Sequence, residues 1–316
     1  MFTEFDRIDR FTQAFKTRSR SVVAGPGDDC AITRPSPGHV LVSKVDQVVE
    51  GVHFGPAFRP EEIGHKALAV ALSDLAAAGA KPRWFLVAIA HPESLGPDTL
   101  DGIARGMAKL AAEAKAVLIG GNFSRARELS LTVTALGEAR PEHALRRSGA
   151  RAGDWLLVSG TLGDAALGLR RLAEGRPPRL DFATRAQLAP QPRVVLGPIL
   201  GRYARAAIDL SDGLLQDLGH LCERSGVGAE LALDELPIRP QVRRAGLELA
   251  LAGGVDYEIL CAVPPEKARA LVAAAARRNV PLQPIGRLTK ERGIRLLDAQ
   301  GRELPLPEHG GWEHFR

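Results

Sequence analysis

The sequence predicts an α/β protein of the α+β type that is built from two domains. Short apolar runs alternate with helical segments, the chain has 316 residues, and a polar, turn-rich segment lies near its middle. Single cores usually stop growing near about 250–300 residues. Strands that alternate with helices of mixed length indicate layered α/β architecture. We therefore expect two domains, over residues 1–140 and 141–316.

The first half is predicted to form a mixed sheet with covering helices. A helix is expected over residues 1–20, where large apolar side chains recur at helical spacing, and a polar loop follows at 25–29. Apolar runs then predict strands, and alanine- and leucine-rich segments predict helices. The strands are expected over 39–49, 84–90, 116–119 and 129–137, and the helices over 61–79 and 97–115.

The second half is predicted to be an α/β domain that follows the turn-rich segment 146–154. A glycine-rich turn at 160–164 starts a helix, and a proline- and arginine-rich loop is expected over 175–193. A short strand at 206–210 leads through a polar turn into another helix. Further elements are a strand at 155–159, a strand after 258, a helix over 265–278 and a short closing sheet.

The charge distribution argues against a nucleic-acid partner. The formal net charge is +5, which invites that interpretation. The basic residues are scattered, however, and runs such as Arg146-Arg147 are short. Scattered charges of this kind are typical of solvated helix faces.

The cysteines and the apolar runs indicate a cytoplasmic protein without a membrane segment. Cys30, Cys222 and Cys261 are far apart, and no Cys-x-x-Cys motif occurs, so neither zinc binding nor redox chemistry is expected. The N-terminal residues are acidic and do not resemble a signal peptide. Charges or glycines interrupt the apolar runs well short of the ~18 residues that a membrane span needs.

Aspartates recur at strand ends, in glycine turns and within apolar elements. They are Asp28, Asp29, Asp46, Asp74, Asp209 and Asp212. Each alone has a structural explanation, as a turn residue, a helix cap or a solvated position. A carboxylate in an apolar setting is costly unless it is paired or bound to a cation. Together, hard oxygen ligands from several elements describe magnesium sites that hold phosphates.

The sequence lacks the signature motifs of other families that transfer phosphoryl or acyl groups. The sequence contains no Gly-x4-Gly-Lys-Ser/Thr loop, no protein-kinase motif set and no Gly-x-Ser-x-Gly elbow. Phosphoryl transfer mainly needs positioning and neutralised charge, so no protein nucleophile is required. Magnesium-assisted phosphoryl transfer is therefore the chemistry that the aspartates favour.

Short motifs run through nearly the whole chain in a fixed order. They are Gly25-Pro26-Gly27-Asp28-Asp29, Glu50-Gly51-Val52-His53-Phe54, Leu72-Ser73-Asp74-Leu75, Ile119-Gly120-Gly121, Arg147-Ser148-Gly149, Asp209-Leu210-Ser211-Asp212-Gly213, Asp256-Tyr257-Glu258 and Gly311-Trp312. In number and order they resemble the thiamine-monophosphate kinase family, within the group of aminoimidazole-ribonucleotide synthetase-like proteins. The resemblance implies the two-domain fold of that group, with ATP as co-substrate, Mg²⁺ ions between the phosphates, and thiamine monophosphate as substrate. It also implies a homodimer in which N-terminal domains pair through their sheets.

The resemblance also implies roles for individual residues. The metal ligands would be Asp29, Asp46, Asp74, Asn122, Asp209 and Asp212. The nucleotide contacts would be Gly121, Asn122, Arg147 and Ser211, and the substrate contacts would be His53, Val255 and Trp312. Independently of the resemblance, an arginine at position 147 suits phosphate because a guanidinium binds it in a planar fork.

Three motifs depart from the family pattern. Where the family has Ser-Thr-Asp, this chain has Lys44-Val45-Asp46, and Asn122 replaces a metal-binding aspartate. Val255 stands where the family has a glutamate that contacts substrate. All three changes make the site less negative, so we expect fewer bound cations and altered thiamine recognition. Lys44 itself could replace an ion, since an ammonium neutralises phosphate oxygens as a point charge.

Three hypotheses follow from these residues. The first is an active thiamine-monophosphate kinase. The second is a weakly active or silent relative that binds nucleotide or thiamine phosphate, motivated by Lys44, Asn122 and Val255. The third is another ATP-using enzyme of the same group with a different substrate.

Overall fold

The structure is a computed structural model that describes residues 4–16, 18–307 and 310–311. The chain divides into two compact units. Unit 1 comprises Met1–Leu75 and Lys81–Pro141, and unit 2 comprises Ala76–Ala80 and Glu142–Arg316. The short segment Ala76–Ala80 belongs to unit 2 because Ala76 is buried in an apolar cluster with Leu196 and Leu200.

Unit 1 contains most of the elements expected in the first half of the chain. In order these are α1 (Glu4–Gln13), β1 (Val22–Ala24), β2 (Ile32–Thr33), β3 (Val40–Val49), α2 (Pro60–Ala77, which continues into unit 2), β4 (Lys81–His91), α3 (Pro97–Ala114), β5 (Val117–Arg125) and β6 (Ser130–Ala139). Four strands form a sheet in the order β3-β6-β4-β5. Only the β4–β5 pair is parallel, so the sheet is mixed.

One face of this sheet is buried and the other is more open. Along β6, Leu131, Val133 and Ala135 are fully buried, and the residues between them are only partly so. This period-2 alternation is typical of a sheet with one face against a core.

The helices α2 and α3 pack closely, since a Cβ on Gly64 would lie 2.0 Å from the carbonyl oxygen of Ile103. A residue larger than glycine at position 64 would force the two helices apart.

Unit 2 contains a sheet of seven strands in the order β13-β12-β9-β11-β7-β10-β8. Its strands are β7 (Trp155–Ser159), β8 (Ala206–Asp209), β9 (Gly228–Ala232), β10 (Ile259–Val263), β11 (Leu282–Thr289), β12 (Ile294–Leu297) and β13 (Glu303–Leu304). Its helices are α4 (Asp164–Ala173), α5 (Phe182–Leu188), α6 (Gly197–Tyr203), α7 (Leu214–Ser225), α8 (Pro240–Ala245), α9 (Glu248–Leu251) and α10 (Pro265–Ala276).

The sheet of unit 2 is covered on both faces. Successive residues of β10 alternate between two apolar clusters, with Leu260 and Ala262 in one and Ile259, Cys261 and Val263 in the other. All five side chains are fully buried. A strand that is buried on both sides reads as a continuous apolar run rather than an alternating one, as this strand does.

Several predicted elements differ from the structure. The strand expected over 116–119 continues to Arg125 as β5, so it includes Gly121 and Asn122. The first helix was expected over 1–20, but α1 ends at Gln13. The segment expected as a loop over 175–193 contains the helix α5, whose start is fixed by Asp181. Its carboxylate accepts a hydrogen bond from the backbone N–H of Thr184 at 3.0 Å, and the Thr184 side chain accepts from the Asp181 N–H in return. Such a capping box stabilises a short helix that the arginine- and proline-rich composition hides.

No helix within the described ranges is both long enough and apolar enough to cross a membrane.

Candidate functional site

In unit 1, three charged side chains form a compact group on β3 and α2. Lys44 and Asp46 are two positions apart on β3, so strand alternation places both on the same face. The Lys44 Nζ lies 3.4 Å from Asp46 Oδ1 and 3.0 Å from Asp74 Oδ2 on α2. The structure therefore brings together two of the predicted metal ligands, with an ammonium in contact with both.

The environment of Asp46 opposes its ionisation. Burial raises its pKa to about 7, the Lys44 ammonium opposes this shift, and the nearby Asp74 carboxylate adds to it. Two carboxylates this close repel each other unless a cation lies between them. In this structure Lys44 supplies that positive charge.

His53 lies on the turn that follows β3, and Lys66 holds this turn in place. The His53 Nδ1 accepts a hydrogen bond from the Val49 N–H at 3.1 Å. The Lys66 ammonium donates to the carbonyl oxygen of His53 at 2.9 Å and lies 5.2 Å from the centre of the Phe58 ring. Burial lowers the pKa of Lys66 to about 8. The local pattern does not predict this role of Lys66, because an isolated lysine in an alanine-rich helix gives no sign that it points inward.

The strand register separates Asn122 from Asp46. Gln47 pairs with Thr132, Thr132 with Ala88, and Ala88 with Asn122. Residues that pair directly across strands share a face of the sheet. Since Gln47 follows Asp46 directly, Asn122 lies on the opposite face from Asp46.

The remaining predicted positions of unit 1 also lie away from this group. Asp46 pairs with Val133, Val133 with Val87, and Val87 with Gly121. Gly121 therefore lies on the same face of the sheet as Asp46, but three strands from β3. Asp29 is exposed in the polar loop before β2. The structure thus brings Asp46 and Asp74 together and leaves Asp29, Gly121 and Asn122 elsewhere in unit 1.

In unit 2, a buried carboxylate shapes the loop that follows β8. The Asp217 Oδ2 accepts hydrogen bonds from the backbone N–H groups of Ser211, Asp212 and Gly213, each at 3.1 Å. Burial and the neighbouring Asp212 carboxylate raise the pKa of Asp217 to about 7, although the three N–H donors oppose this. The local pattern does not reveal this role, since an acidic residue in the first turn of a helix is common. Asp217 fixes the backbone that carries Ser211 and Asp212.

The segment that carries Val255 packs against the same loop. The N–H of Val255 donates to the Ser211 carbonyl oxygen at 2.7 Å, and the N–H of Tyr257 donates to that of Leu210 at 2.8 Å. A Cβ on Gly254 would lie 2.4 Å from the Ser211 carbonyl oxygen, so only glycine permits this approach. Val255 has a φ of 71°, a left-handed conformation that is unusual for a β-branched residue. The structure therefore places Val255 directly beside Ser211.

The acidic residues after Val255 have structural partners. Asp256 accepts hydrogen bonds from the N–H groups of Gly163 and Ala165 at the start of α4, at 2.8 and 3.4 Å. Burial raises its pKa well above the usual range. Glu258 is buried and forms a bidentate ion pair with Arg193. It also accepts a hydrogen bond from the Ser159 hydroxyl. These carboxylates anchor the segment rather than face a ligand.

Of the other predicted residues of unit 2, Asp209 borders the same loop, Arg147 lies at the far end of α7, and Trp312 is not among the described residues. Asp209 ends β8 and is 3% exposed. Arg147 is exposed, and its carbonyl oxygen accepts from the Ser225 hydroxyl at 3.0 Å. The predicted substrate contact Trp312 lies outside the described residues. The described tail reaches the first turn of α7, since the Gln216 N–H donates to the Gly310 carbonyl oxygen at 3.1 Å.

The two units differ in how well they suit Mg²⁺. Within the described ranges, no three histidine, cysteine or acidic side chains form a metal-binding group. Magnesium usually takes one or two carboxylates and completes its shell with water and phosphate oxygens. Asp209 at the end of β8 and Asp212 on the loop held by Asp217 supply such hard oxygen donors and fit this requirement. The pair of Asp46 and Asp74 does not, because the Lys44 ammonium already contacts both of them.

Comparison with known families accounts for both halves of the chain. Residues 27–139 match the family model described as AIR synthase related protein, N-terminal domain. Residues 151–299 match the model for the C-terminal domain of the same family. The prediction of a two-domain fold of the synthetase-like group is thereby confirmed.

Several relatives match this chain over nearly its full length. A thiamine-monophosphate kinase of Haemophilus influenzae is 35% identical over 99% of this chain and 98% of its own length. The crystal structure of thiamine-monophosphate kinase from Stenotrophomonas maltophilia K279a is 38% identical and has a TM-score of 0.85, covering 96% of this chain and 98% of that one. A structure of AaThiL complexed with AMPPCP and TMP is 30% identical with a TM-score of 0.78, covering 99% and 97% of the two chains.

Proposed function

The chain belongs to the thiamine-monophosphate kinase family, and from this premise we propose that it transfers the γ-phosphate of ATP to thiamine monophosphate, giving thiamine diphosphate and ADP. The observation that carries the proposal is similarity over the full length to kinases of this name, one of which is 35% identical over 99% of this chain. A relative of similar fold is complexed with AMPPCP and TMP. Both ligands suit a site that handles phosphates.

The reaction is an in-line attack by a phosphate oxygen of thiamine monophosphate on the γ-phosphorus of ATP. The attacking oxygen is already ionised at neutral pH, so the protein needs to supply neither a nucleophile nor a general base. The bond from the γ-phosphorus to the bridging oxygen breaks, and ADP leaves with that oxygen. The protein contributes by positioning the two ligands and by balancing the negative charge.

Asp209 and Asp212 would hold Mg²⁺ beside the ATP phosphates. When bound, the ion neutralises charge on the transferred group. Asp217 keeps Asp212 in place through the loop backbone. Ser211 and the exposed guanidinium of Arg147 are the proposed nucleotide contacts in unit 2, and Gly121 and Asn122 are those in unit 1. Asp29 is the proposed metal ligand of unit 1, because Lys44 already pairs with Asp46 and Asp74.

His53, Val255 and Trp312 are the proposed contacts for thiamine monophosphate. The His53 Nδ1 accepts from a backbone N–H, so in the neutral ring Nε2 carries the proton and can donate to a phosphate oxygen. Val255 offers an apolar surface beside Ser211 in place of a carboxylate. The Trp312 ring would stack on the thiamine rings.

We propose a cytoplasmic homodimer. Cys30, Cys222 and Cys261 are free thiols, which suits a reducing compartment. On the open face of the unit 1 sheet, Leu41 and Val45 are 52% and 58% exposed. A second copy of the chain would cover these side chains by pairing through the same face.

A coupled assay for ADP tests the proposed reaction. Purified protein with ATP, Mg²⁺ and thiamine monophosphate should form ADP and thiamine diphosphate in equal amounts, and omitting either Mg²⁺ or thiamine monophosphate should abolish the signal. Asp212→Asn should raise the Mg²⁺ concentration needed for half-maximal turnover, whereas Glu223→Gln, exposed on α7, should not. Tight binding of AMPPCP without any thiamine diphosphate would instead favour a silent, nucleotide-binding relative.

A further inference from the structure

The ion group on β3 and α2 has the geometry of a cation held by two carboxylates. The Lys44 Nζ lies 3.4 Å from an oxygen of Asp46 and 3.0 Å from an oxygen of Asp74. The three side chains are 34%, 27% and 24% exposed, so all of them are largely shielded from solvent. The ammonium therefore contacts both carboxyl groups, which also lie within hydrogen-bond reach of each other.

The backbone holds this arrangement in place. β3 pairs with β6 along its whole length, from Val40 opposite Ala139 to Val49 opposite Ser130. This register fixes Lys44 and Asp46 on the face that also carries the fully buried Val133 and Ala135. Asp74 approaches that face from α2, whose neighbours Leu72 and Leu75 are fully buried. The Lys44 side chain therefore extends from a fixed position on the strand to the two carboxylates.

We propose that the Lys44 ammonium is a resident cation that takes the place of a divalent metal ion between Asp46 and Asp74. This inference rests on the proposed function only in its consequence, which is that kinase turnover needs one Mg²⁺ ion fewer than it would with a short polar residue at position 44. The placement of the cation itself rests on the distances in unit 1.

Geometry and charge both exclude Mg²⁺ while the ammonium is present. Magnesium needs oxygen ligands at about 2.0–2.1 Å in an octahedral shell. An ion at that distance from both carboxylates would occupy the space that the Nζ already fills. Like charges this close also repel strongly where the surroundings are partly shielded from water. Asp46 and Asp74 can therefore hold the ammonium or a metal ion, but not both.

Removing the ammonium should open a metal site. The number of Mn²⁺ ions bound per chain can be counted by electron paramagnetic resonance, with and without AMPPCP. Lys44→Met keeps much of the side-chain volume without the charge, and Lys44→Ser provides a hydroxyl oxygen. Each variant should bind one more Mn²⁺ per chain than the wild type. The matched control is Lys109→Met, at an exposed position of α3, and its count should equal that of the wild type.

A second substitution tests the inference in a chain that retains Lys44. Asp74→Asn should leave the Mn²⁺ count unchanged, because no metal depends on Asp74 while the ammonium is present. In the Lys44→Met background, the same substitution should remove the added ion. Mg²⁺ should also raise the melting temperature of Lys44→Met by about 5 °C more than that of the wild type, since a ligand that binds only the folded state stabilises it.

The inference is overturned if the Lys44 variants bind the same number of Mn²⁺ ions as the wild type, or if Asp74→Asn lowers the count in the wild-type background. The second outcome is readable even if the Lys44 variants fail to fold. Metal counting without nucleotide does not depend on turnover. An added Mn²⁺ in Lys44→Met, together with an inactive wild type, would contradict the proposed reaction and leave the resident cation supported.

Discussion

Lys66 shows how one buried side chain can link stability to pH. It is 2% exposed, and its ammonium donates to the carbonyl oxygen of His53. Burial lowers its pKa from the ordinary 10.5 to about 8. Since one pKa unit corresponds to about 1.4 kcal/mol, keeping the ammonium charged in the fold costs about 3 kcal/mol.

The free energy of unfolding should therefore rise between pH 8 and pH 10. In that window the unfolded chain binds more protons at Lys66 than the folded chain does, so raising the pH favours the fold. Relative to Lys66→Met, the wild type should gain about 2 kcal/mol over this range. Urea denaturation at several pH values measures the difference. Lys109→Met, at an exposed position, should retain the wild-type slope, and parallel curves for wild type and Lys66→Met would contradict the assignment.

Val255 carries backbone strain at the candidate site. Its φ of 71° is left-handed, where a Cβ crowds the backbone at a cost of roughly 1–2 kcal/mol. Asparagine tolerates this region, so Val255→Asn should raise the unfolding free energy by about 1 kcal/mol. Chemical denaturation measures it. Val255→Ile, which remains β-branched, should show no gain, and equal stabilities for the two variants would argue against strain.

A carboxylate at position 255 should strengthen the binding of thiamine monophosphate. Val255 lies beside Ser211, and the ring system of thiamine carries a positive charge. A new charge-assisted contact contributes about 1.5–3 kcal/mol, so Val255→Glu should lower the KM for thiamine monophosphate by about tenfold or more. The KM for ATP should stay the same. If Val255→Glu and Val255→Gln gave equal KM values, charge would not be what matters there.

The sequence indicates which aspartates matter but not what they face. Asp46 stands out because an apolar strand surrounds it, and its partner Asp74 lies in an apolar helix. Whether Lys44 points at both of them depends on how the helix lies over the strand, which spacing alone does not determine. Asn122 was grouped with Asp46 by the resemblance, yet the strand register puts the two on opposite faces. Register depends on pairing between distant segments, so a local pattern cannot supply it.

At the scale of elements, the conformation of the loop between β8 and α7 depends on a single hydrogen-bond acceptor. The Asp217 carboxylate accepts hydrogen bonds from the backbone N–H groups of Ser211, Asp212 and Gly213. Asp217→Ala would leave three donors without this acceptor, and each unsatisfied buried group costs about 1–3 kcal/mol. We expect a loss of about 3 kcal/mol in unfolding free energy.

The same substitution should also lower turnover at saturating ATP by about 100-fold, since a loss of about 2.7 kcal/mol in transition-state stabilisation corresponds to a factor of about 100 in rate. Denaturation and the ADP assay together measure both effects. Glu223→Ala removes an exposed carboxylate from the same helix and should change neither. Normal turnover in a destabilised Asp217→Ala would show that the loop can hold its shape without this carboxylate.

Elements with a strong local pattern were predicted well, and those defined by a few polar contacts were not. The helices expected over 61–79 and 97–115 are α2 and α3, to within two residues at each end. The helix α5 was missed because its seven residues offer too little periodicity, and its stability comes from one capping box and from burial of Leu188. Short elements of this kind depend on tertiary packing, which no local pattern encodes.

At the scale of the whole molecule, the open face of the unit 1 sheet bears on assembly. Leu41, Ser43, Val45 and Gln47 alternate along β3 on this face, and all four are exposed. β3 also forms one edge of the sheet, since only β6 pairs with it among the described strands. Exposed apolar side chains on an edge strand invite pairing with another chain. A second copy would remove both the edge and the apolar surface from water.

Charges on this face should therefore dissociate the proposed dimer. In a twofold symmetric interface each substitution occurs twice, so Leu41→Glu with Val45→Glu would place four carboxylates in it. Burying unpaired charges costs several kcal/mol, which is enough to shift a micromolar dimer to monomer. Light scattering during gel filtration should show the mass fall by half. Leu169→Glu, at a 53% exposed position of α4 in unit 2, should leave the mass unchanged. A monomeric wild type, or a double variant that keeps the dimer mass, would rule out this face as the interface.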